Sequence, residues 1–226
     1  PSTRPRVSPF LVILLGILAV STASIFIKLA QVYAGSLAIA AYRLTLATLV
    51  LTPVALGRHR GALRRLTRRD LALATLSGVL LAAHFATWVS SLEYTSVTSS
   101  VVIVTTSPLW VALLAPITLR EPLRRPVLLG LLVALGGGII VGLSDSCALS
   151  GLTLTCPDVE AWVRGEAFLG NFLALCGALT GAGYLLIGRD LRAKMPLVPY
   201  IFVVYGIAAV VLIGIMLGFG ESPFGY

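Results

Sequence analysis

The sequence predicts an all-α polytopic membrane protein, a bundle of transmembrane helices, and three observations predict it. Of 226 residues, 58% are apolar and only 12% charged, about half the charged share of an ordinary soluble domain. The apolar residues fall in blocks of about twenty, enough helix to cross a hydrocarbon core of about 30 Å, and mean hydropathy is +0.98. The basic residues behind the net charge of +8 gather in short connections between those blocks. In a soluble protein such a charge would point to nucleic acid. Between apolar blocks it sets topology, so the expected partner is the lipid bilayer and no nucleic acid is expected. An outer-membrane barrel is excluded, because its short strands alternate apolar with polar residues whereas these blocks are apolar nearly all round.

Seven spans follow in order, at about residues 10–30, 36–56, 71–92, 95–119, 127–144, 167–188 and 197–218. The first follows Arg4 and Arg6 but is too long for a signal peptide and lacks a small-residue cleavage site, so it is read as retained. Pro53 in the second span, and Pro108 and Pro116 in the fourth, interrupt backbone hydrogen bonding and predict kinks or local unwinding. Thr105-Thr106-Ser107-Pro108 is the best candidate for irregular backbone lining a site, since freed carbonyls are tolerated only where protein or water satisfies them. In the fifth span Gly130, Ala134, Gly138 and Gly142 recur every four residues and predict a smooth ridge for close helix approach. Cys176 in the sixth span reads as a small packing residue.

Counting by alternate connections, one side holds Arg4, Arg6, Arg58, Arg60, Arg64, Arg65, Arg68, Arg69, Arg120, Arg124, Arg125, Arg189, Arg192 and Lys194, and the other only Arg164. Cytoplasmic loops carry the Lys and Arg excess, so the expectation is a multi-pass protein of the cytoplasmic membrane with a cytoplasmic N-terminus. The longest connection, Asp145 to Glu166, lies on the other side and holds Cys147 and Cys156. An oxidising compartment would let these two cysteines close a small loop, but sequence does not give their geometry.

A weak internal repeat lays span one on span six, Ala19-Val20-Ser21-Thr22-Ala23-Ser24-Ile25-Phe26-Ile27 against Ala178-Leu179-Thr180-Gly181-Ala182-Gly183-Tyr184-Leu185-Leu186. Span two then falls on span seven, with Ala40-Ala41-Tyr42-Arg43-Leu44 against Val203-Val204-Tyr205-Gly206-Ile207. Copies five spans apart enter the membrane from opposite sides, and inverted repeats are the architecture of many secondary transporters. The expected organisation is a first five-helix repeat at 1–145, an external loop at 146–166, and the first two helices of a second repeat at 167–226. The second repeat is thus incomplete, as in a fragment of a ten-span protein.

These residues carry a family resemblance. Phe85-Ala86-Thr87-Trp88-Val89-Ser90-Ser91-Leu92-Glu93-Tyr94-Thr95-Ser96-Val97-Thr98-Ser99-Ser100, then Thr106-Ser107-Pro108-Leu109 and Leu119-Arg120-Glu121-Pro122-Leu123, resemble the third and fourth spans of EamA-type proteins of the drug/metabolite transporter superfamily. Ala41-Tyr42-Arg43-Leu44, Gly136-Gly137-Gly138-Ile139-Ile140 and Gly183-Tyr184-Leu185-Leu186-Ile187-Gly188-Arg189 fit the same family. The resemblance implies a ten-helix transporter of two inverted halves around a central cavity, from which this sequence departs by lacking spans eight to ten. It supplies no substrate, because one fold hosts many functions.

Charges inside a span cost about 2.5–3.5 kcal/mol at the helix centre on insertion scales and are functional candidates by default. Lys28, Arg43 and His84 are the three, all in the outer half of their spans. They suggest a basic vestibule for an anionic or zwitterionic group, with Arg43 able to make a forked contact to carboxylate or phosphate. Each has a structural alternative: snorkelling for Lys28, helix pairing for Arg43, and a neutral hydrogen-bonded bundle residue for His84. Ser21, Ser24 and Lys28 form one polar stripe, His84, Thr87 or Trp88, and Ser91 a second, and Thr95, Ser99, Val102 and Thr106 a face of the fourth span. Ser24, Ser99 and Thr106 are candidate hydrogen-bonding residues, or equally interhelical glue. Trp88 and Tyr184 are candidate aromatic walls for an organic solute, unless Trp88 is an interface anchor.

A secondary transporter of a small organic metabolite, working by alternating access, is the expected function. The alternatives are a membrane-embedded enzyme and a non-transporting protein of the same bundle. Catalysis is disfavoured, because the spans offer one histidine, no well-buried carboxylate, no metal-spaced set of ligands and no nucleotide-binding loop, so no cofactor is expected. A seven-helix receptor fails on orientation, and span seven has no lysine for a retinal Schiff base. For proton coupling, His84 is the one inner candidate titrating near neutral pH.

Overall fold

A computed structural model describes residues 8–118, 125–144, 147–150 and 153–222. Its helices are α1 (Pro9–Ala30), α2 (Ser36–Arg58), α3 (Arg60–Arg64), α4 (Arg68–Tyr94), α5 (Val97–Val104), α6 (Ser107–Thr118), α7 (Arg125–Ser144), α8 (Val159–Arg164), α9 (Glu166–Arg192) and α10 (Leu197–Gly218). Two three-residue strands, β1 (Ala148–Ser150) and β2 (Thr153–Thr155), pair antiparallel in the long connection. Seven helical stretches are long and apolar enough to cross a membrane, with α5 and α6 together making the fourth. The protein is a multi-pass, all-α membrane bundle. One end of it carries the hairpin; the other carries most of the arginines.

Local sequence sets the helix ends. Thr67 accepts from the Asp70 amide at 3.1 Å while the Asp70 carboxylate accepts from the Thr67 amide at 3.1 Å, a capping box that starts α4 in the arginine-rich connection. Ser96 caps α5 by accepting from the Ser99 amide at 3.1 Å. Between α5 and α6 the chain makes a turn at Thr105-Thr106. Pro108 has no N–H to give the Val104 carbonyl, and the Ser107 hydroxyl donates to it instead at 2.9 Å. The break expected at this tetrad is present, and the hydroxyls of Thr105, Thr106 and Ser107 donate to the carbonyls of Val101 to Val104 just before it.

The interior is built from small residues and the outside from large apolar ones, as packing in lipid favours. Ala38, Ala41, Ala82, Ala174, Ala178 and Ala208 are buried, together with Ser77, Ser91, Ser99 and Ser100, whereas Phe10, Ile17, Phe26, Val50, Val133 and Ile140 face outward. The most extensive helix pairing is α4 against α9, followed by α10 against α2 and α4. A Cβ on Gly170 would lie 2.8 Å from the Thr95 amide nitrogen, and one on Gly78 would lie 3.0 Å from the Val204 carbonyl oxygen. These glycines let helix backbones meet.

The ridge expected on the fifth span does not pack in this way. Gly130, Gly136, Gly137 and Gly138 of α7 have nothing within 4 Å of a Cβ position, and Gly142 meets only Asn171. The helix touches α5 and α6 along a narrow seam, and its small residues line a cleft of about 500 Å³ instead.

Candidate functional site

The site is built where α2 and α4 meet beside α9 and α10. Arg43 stands seven residues into α2, and His84, Phe85 and Trp88 occupy adjoining positions of α4. The Arg43 guanidinium carbon lies 5.2 Å from the Phe85 ring centroid and 5.5 Å from that of Trp88, within the range of cation–π attraction. His84 stacks on Trp88, with centroids 5.9 Å apart and planes at 29°, and meets Phe85 edge-on at 5.2 Å. The four side chains form one aromatic and basic cluster inside an apolar bundle.

Helix α9 fixes the histidine. His84 Nδ1 lies 2.7 Å from the Gly177 carbonyl oxygen; a carbonyl only accepts, so Nδ1 carries the proton and donates. The ring lies over Gly181, where a Cβ would come 2.8 Å from Nδ1. Tyr184, one turn further along α9, packs against the same buried core as Trp88 and Tyr200. Arg43, His84 and Trp88 are thus brought into one cluster, with Tyr184 on the core behind it.

Two donors there lack acceptors. Arg43 Nη1 and Trp88 Nε1 are both buried and neither has a hydrogen-bond partner. Among the described residues, no carboxylate pairs with Arg43; the ion pairs Arg164–Glu160 and Lys194–Asp190 are exposed at helix ends. Arg43 lines an open groove of about 400 Å³ between α1 and α2, whose other walls are Ala19, Thr22, Ala23, Phe26, Ile27, Ala30 and Ile39.

The remaining candidates lie elsewhere. Lys28, half-buried, donates to the Leu92 carbonyl near the C-terminus of α4, a position where a cation meets orphan carbonyls and the negative end of the helix dipole. Ser24 is buried on α1. Ser99 donates to the Val141 carbonyl at 3.3 Å and ties α5 to α7. Thr106 donates to Ile103 and accepts from Trp110 Nε1 at 3.1 Å, on the rim of the clefts beside α7. Those clefts, about 430 and 500 Å³, are lined mostly by apolar groups, and Arg43 is not among their walls. Cys147 and Cys156 are joined in a disulfide with Cα atoms 4.3 Å apart. Arg4, Arg6, Arg120, Glu121, Arg124 and Asp145 lie outside the described residues.

Sequence reasoning missed a polar knot at the hairpin end. Gln31 donates to Ser36 Oγ and to the Val89 carbonyl, both at 2.8 Å, and Ser36 donates to the Glu93 carboxylate. Glu221, just beyond α10, accepts from the Ala38 amide at 3.0 Å and so caps α2, whose own N-cap is Gly35. It also missed Phe85 as the second face for Arg43; the cue was an aromatic three residues before Trp88, on the same side of the helix.

A model of the EamA-like transporter family matches residues 7–143, more than half of the chain. The chain belongs to the EamA-like transporter family. No curated protein and no solved structure matches it. Within this transporter family member, the matched stretch takes in Arg43, His84, Phe85 and Trp88, while Gly177, Gly181 and Tyr184 lie beyond it.

Proposed function

We propose that the chain is a secondary transporter that moves a small organic metabolite across the cytoplasmic membrane by alternating access, with its arginine-rich end in the cytoplasm. The observation that carries this reading is Arg43, a cation inside an apolar span that no carboxylate of the described residues neutralises, set against two aromatic faces and bordering an open groove. An intramembrane charge of this kind marks a solute pathway. The proposed repeats, 1–145 and the incomplete two-helix 167–226, pack through α4 against α9 and α2 against α10, and rocking of one on the other would open the Arg43 neighbourhood to each side in turn. His84 is the proposed proton-responsive group, and the basic excess at one end supports the orientation.

The test is a thermal-stability screen of the purified protein against amino acids, sugars, nucleosides, organic acids and cationic drugs, followed by counterflow of each hit in proteoliposomes. A ligand of the folded state raises its apparent stability. A hit that is also exchanged across the bilayer supports the reading, and bound hits that are never exchanged contradict it.

A further inference from the structure

We infer that the Arg43 site takes a monocarboxylate with a compact apolar body, held by Arg43 and Trp88 together. Both groups present the same deficit: Arg43 Nη1 and Trp88 Nε1 are buried donors without acceptors, on side chains whose guanidinium carbon and ring centroid lie 5.5 Å apart. A buried donor is normally satisfied, so two of them side by side call for an acceptor that the chain itself does not bring. One of the two is a fixed cation, which makes that acceptor an anion. The guanidinium is planar and its N–H groups form a fork that matches the two oxygens of a carboxylate. Phe85 and Trp88, neighbours on one face of α4, lie beside that fork with ring centroids 5.2 and 5.5 Å from its carbon.

Charge and depth narrow the class. Arg43 is the one permanent cation of the cluster, so a single negative charge is what it balances at every pH. Seven helical residues separate Arg43 from the start of α2, a depth of about 10 Å. A lipid phosphate is anchored at the interface above that level, whereas a free solute can descend. The body of the ligand meets Ala23, Phe26, Ile27 and Ile39, apolar walls of an open groove of about 400 Å³ between α1 and α2. Apolar walls with one polar anchor favour an aryl or short alkyl acid over a sugar acid.

This inference rests on the transport reading for its use in the cell, but binding is measurable without transport. The full chain, purified in detergent, is titrated with benzoate, benzyl alcohol, benzylamine and phenylphosphonate, and followed by thermal stability. Benzoate is expected to stabilise it and the other three not. Arg43→Gln is expected to weaken benzoate at least tenfold, Arg43→Lys to fall between, and Trp88→Phe, which keeps a ring but removes the donor, to weaken it about threefold. Equal stabilisation by benzyl alcohol, undiminished benzoate binding in Arg43→Gln, or no response to benzoate, phenylacetate and hexanoate alike would overturn it. So would competition by phosphatidylglycerol but not phosphatidylcholine, which would give the site to a headgroup. Counterflow separates the two readings. Benzoate bound but never exchanged removes transport and keeps the carboxylate site, whereas a neutral solute exchanged equally by wild type and Arg43→Gln does the reverse.

Discussion

His84 donates from Nδ1 to the carbonyl of Gly177, across 2.7 Å and between two helices, the two residues standing 93 apart in the chain. That bond joins the α4 span to the α9 span at the level of the aromatic cluster. It also fixes which ring nitrogen carries the proton and turns the ring face onto Trp88. Packing and site geometry therefore meet in one residue pair, and substitutions around it separate the two.

Gly181→Ala tests the seat of the histidine. The added Cβ would lie 2.8 Å from His84 Nδ1 and 3.1 Å from Ser107 Oγ, so both side chains must move. Overpacking of this kind costs about 1–3 kcal/mol, seen as a lower apparent Tm and weaker binding at the Arg43 site. Gly136→Ala, where nothing lies within 4 Å, is the matched control and should leave both unchanged. If the two variants behave alike, the close approach of α9 to α4 is wrong.

Lys28→Met removes the donor that Lys28 offers the Leu92 carbonyl. Leaving a part-buried acceptor unpaired costs about 1–3 kcal/mol. Amide exchange should quicken at the last turn of α4, around Leu92 to Tyr94, before any change appears near Asp70. Unaltered protection at that turn would return Lys28 to a headgroup contact.

Thiol counting tests the connection between α7 and α9. The chain has three cysteines; with Cys147 joined to Cys156 and Cys176 free, the unfolded oxidised protein should take up one equivalent of a thiol reagent, and three after reduction. Three equivalents without reductant would show that the pair is open. Replacing both Cys147 and Cys156 by Ser should leave solute binding intact, because the pair sits in the connection and not beside Arg43.

Much of the fold was legible because lipid imposes it. The seven spans, the broken fourth span and the lone charge of Arg43 follow from hydropathy, from a proline without an N–H, and from the expense of a buried cation. What was illegible was partnership. A four-residue row of small residues reads the same on α7, where it borders a cleft, as on α9, where Gly170, Gly177 and Gly181 meet α4, because smoothness describes one face and names no neighbour. Lys28 bonds a backbone carbonyl, an acceptor every residue possesses, so no side-chain motif announces it. The Arg43 cluster was half legible: its cation and Trp88 stand out, but Phe85 looks like any lipid-facing aromatic until α2 is laid beside it.

The measurement that bears most directly on the account is solute counterflow by Arg43→Gln in proteoliposomes, with reconstituted amount and fold checked against wild type. A charge-assisted hydrogen bond is worth about 1.5–3 kcal/mol, so the variant should insert and fold normally yet exchange the stabilising solute at least tenfold more slowly. An inserted, folded variant that exchanges it at the wild-type rate would show that Arg43 lies off the solute's path.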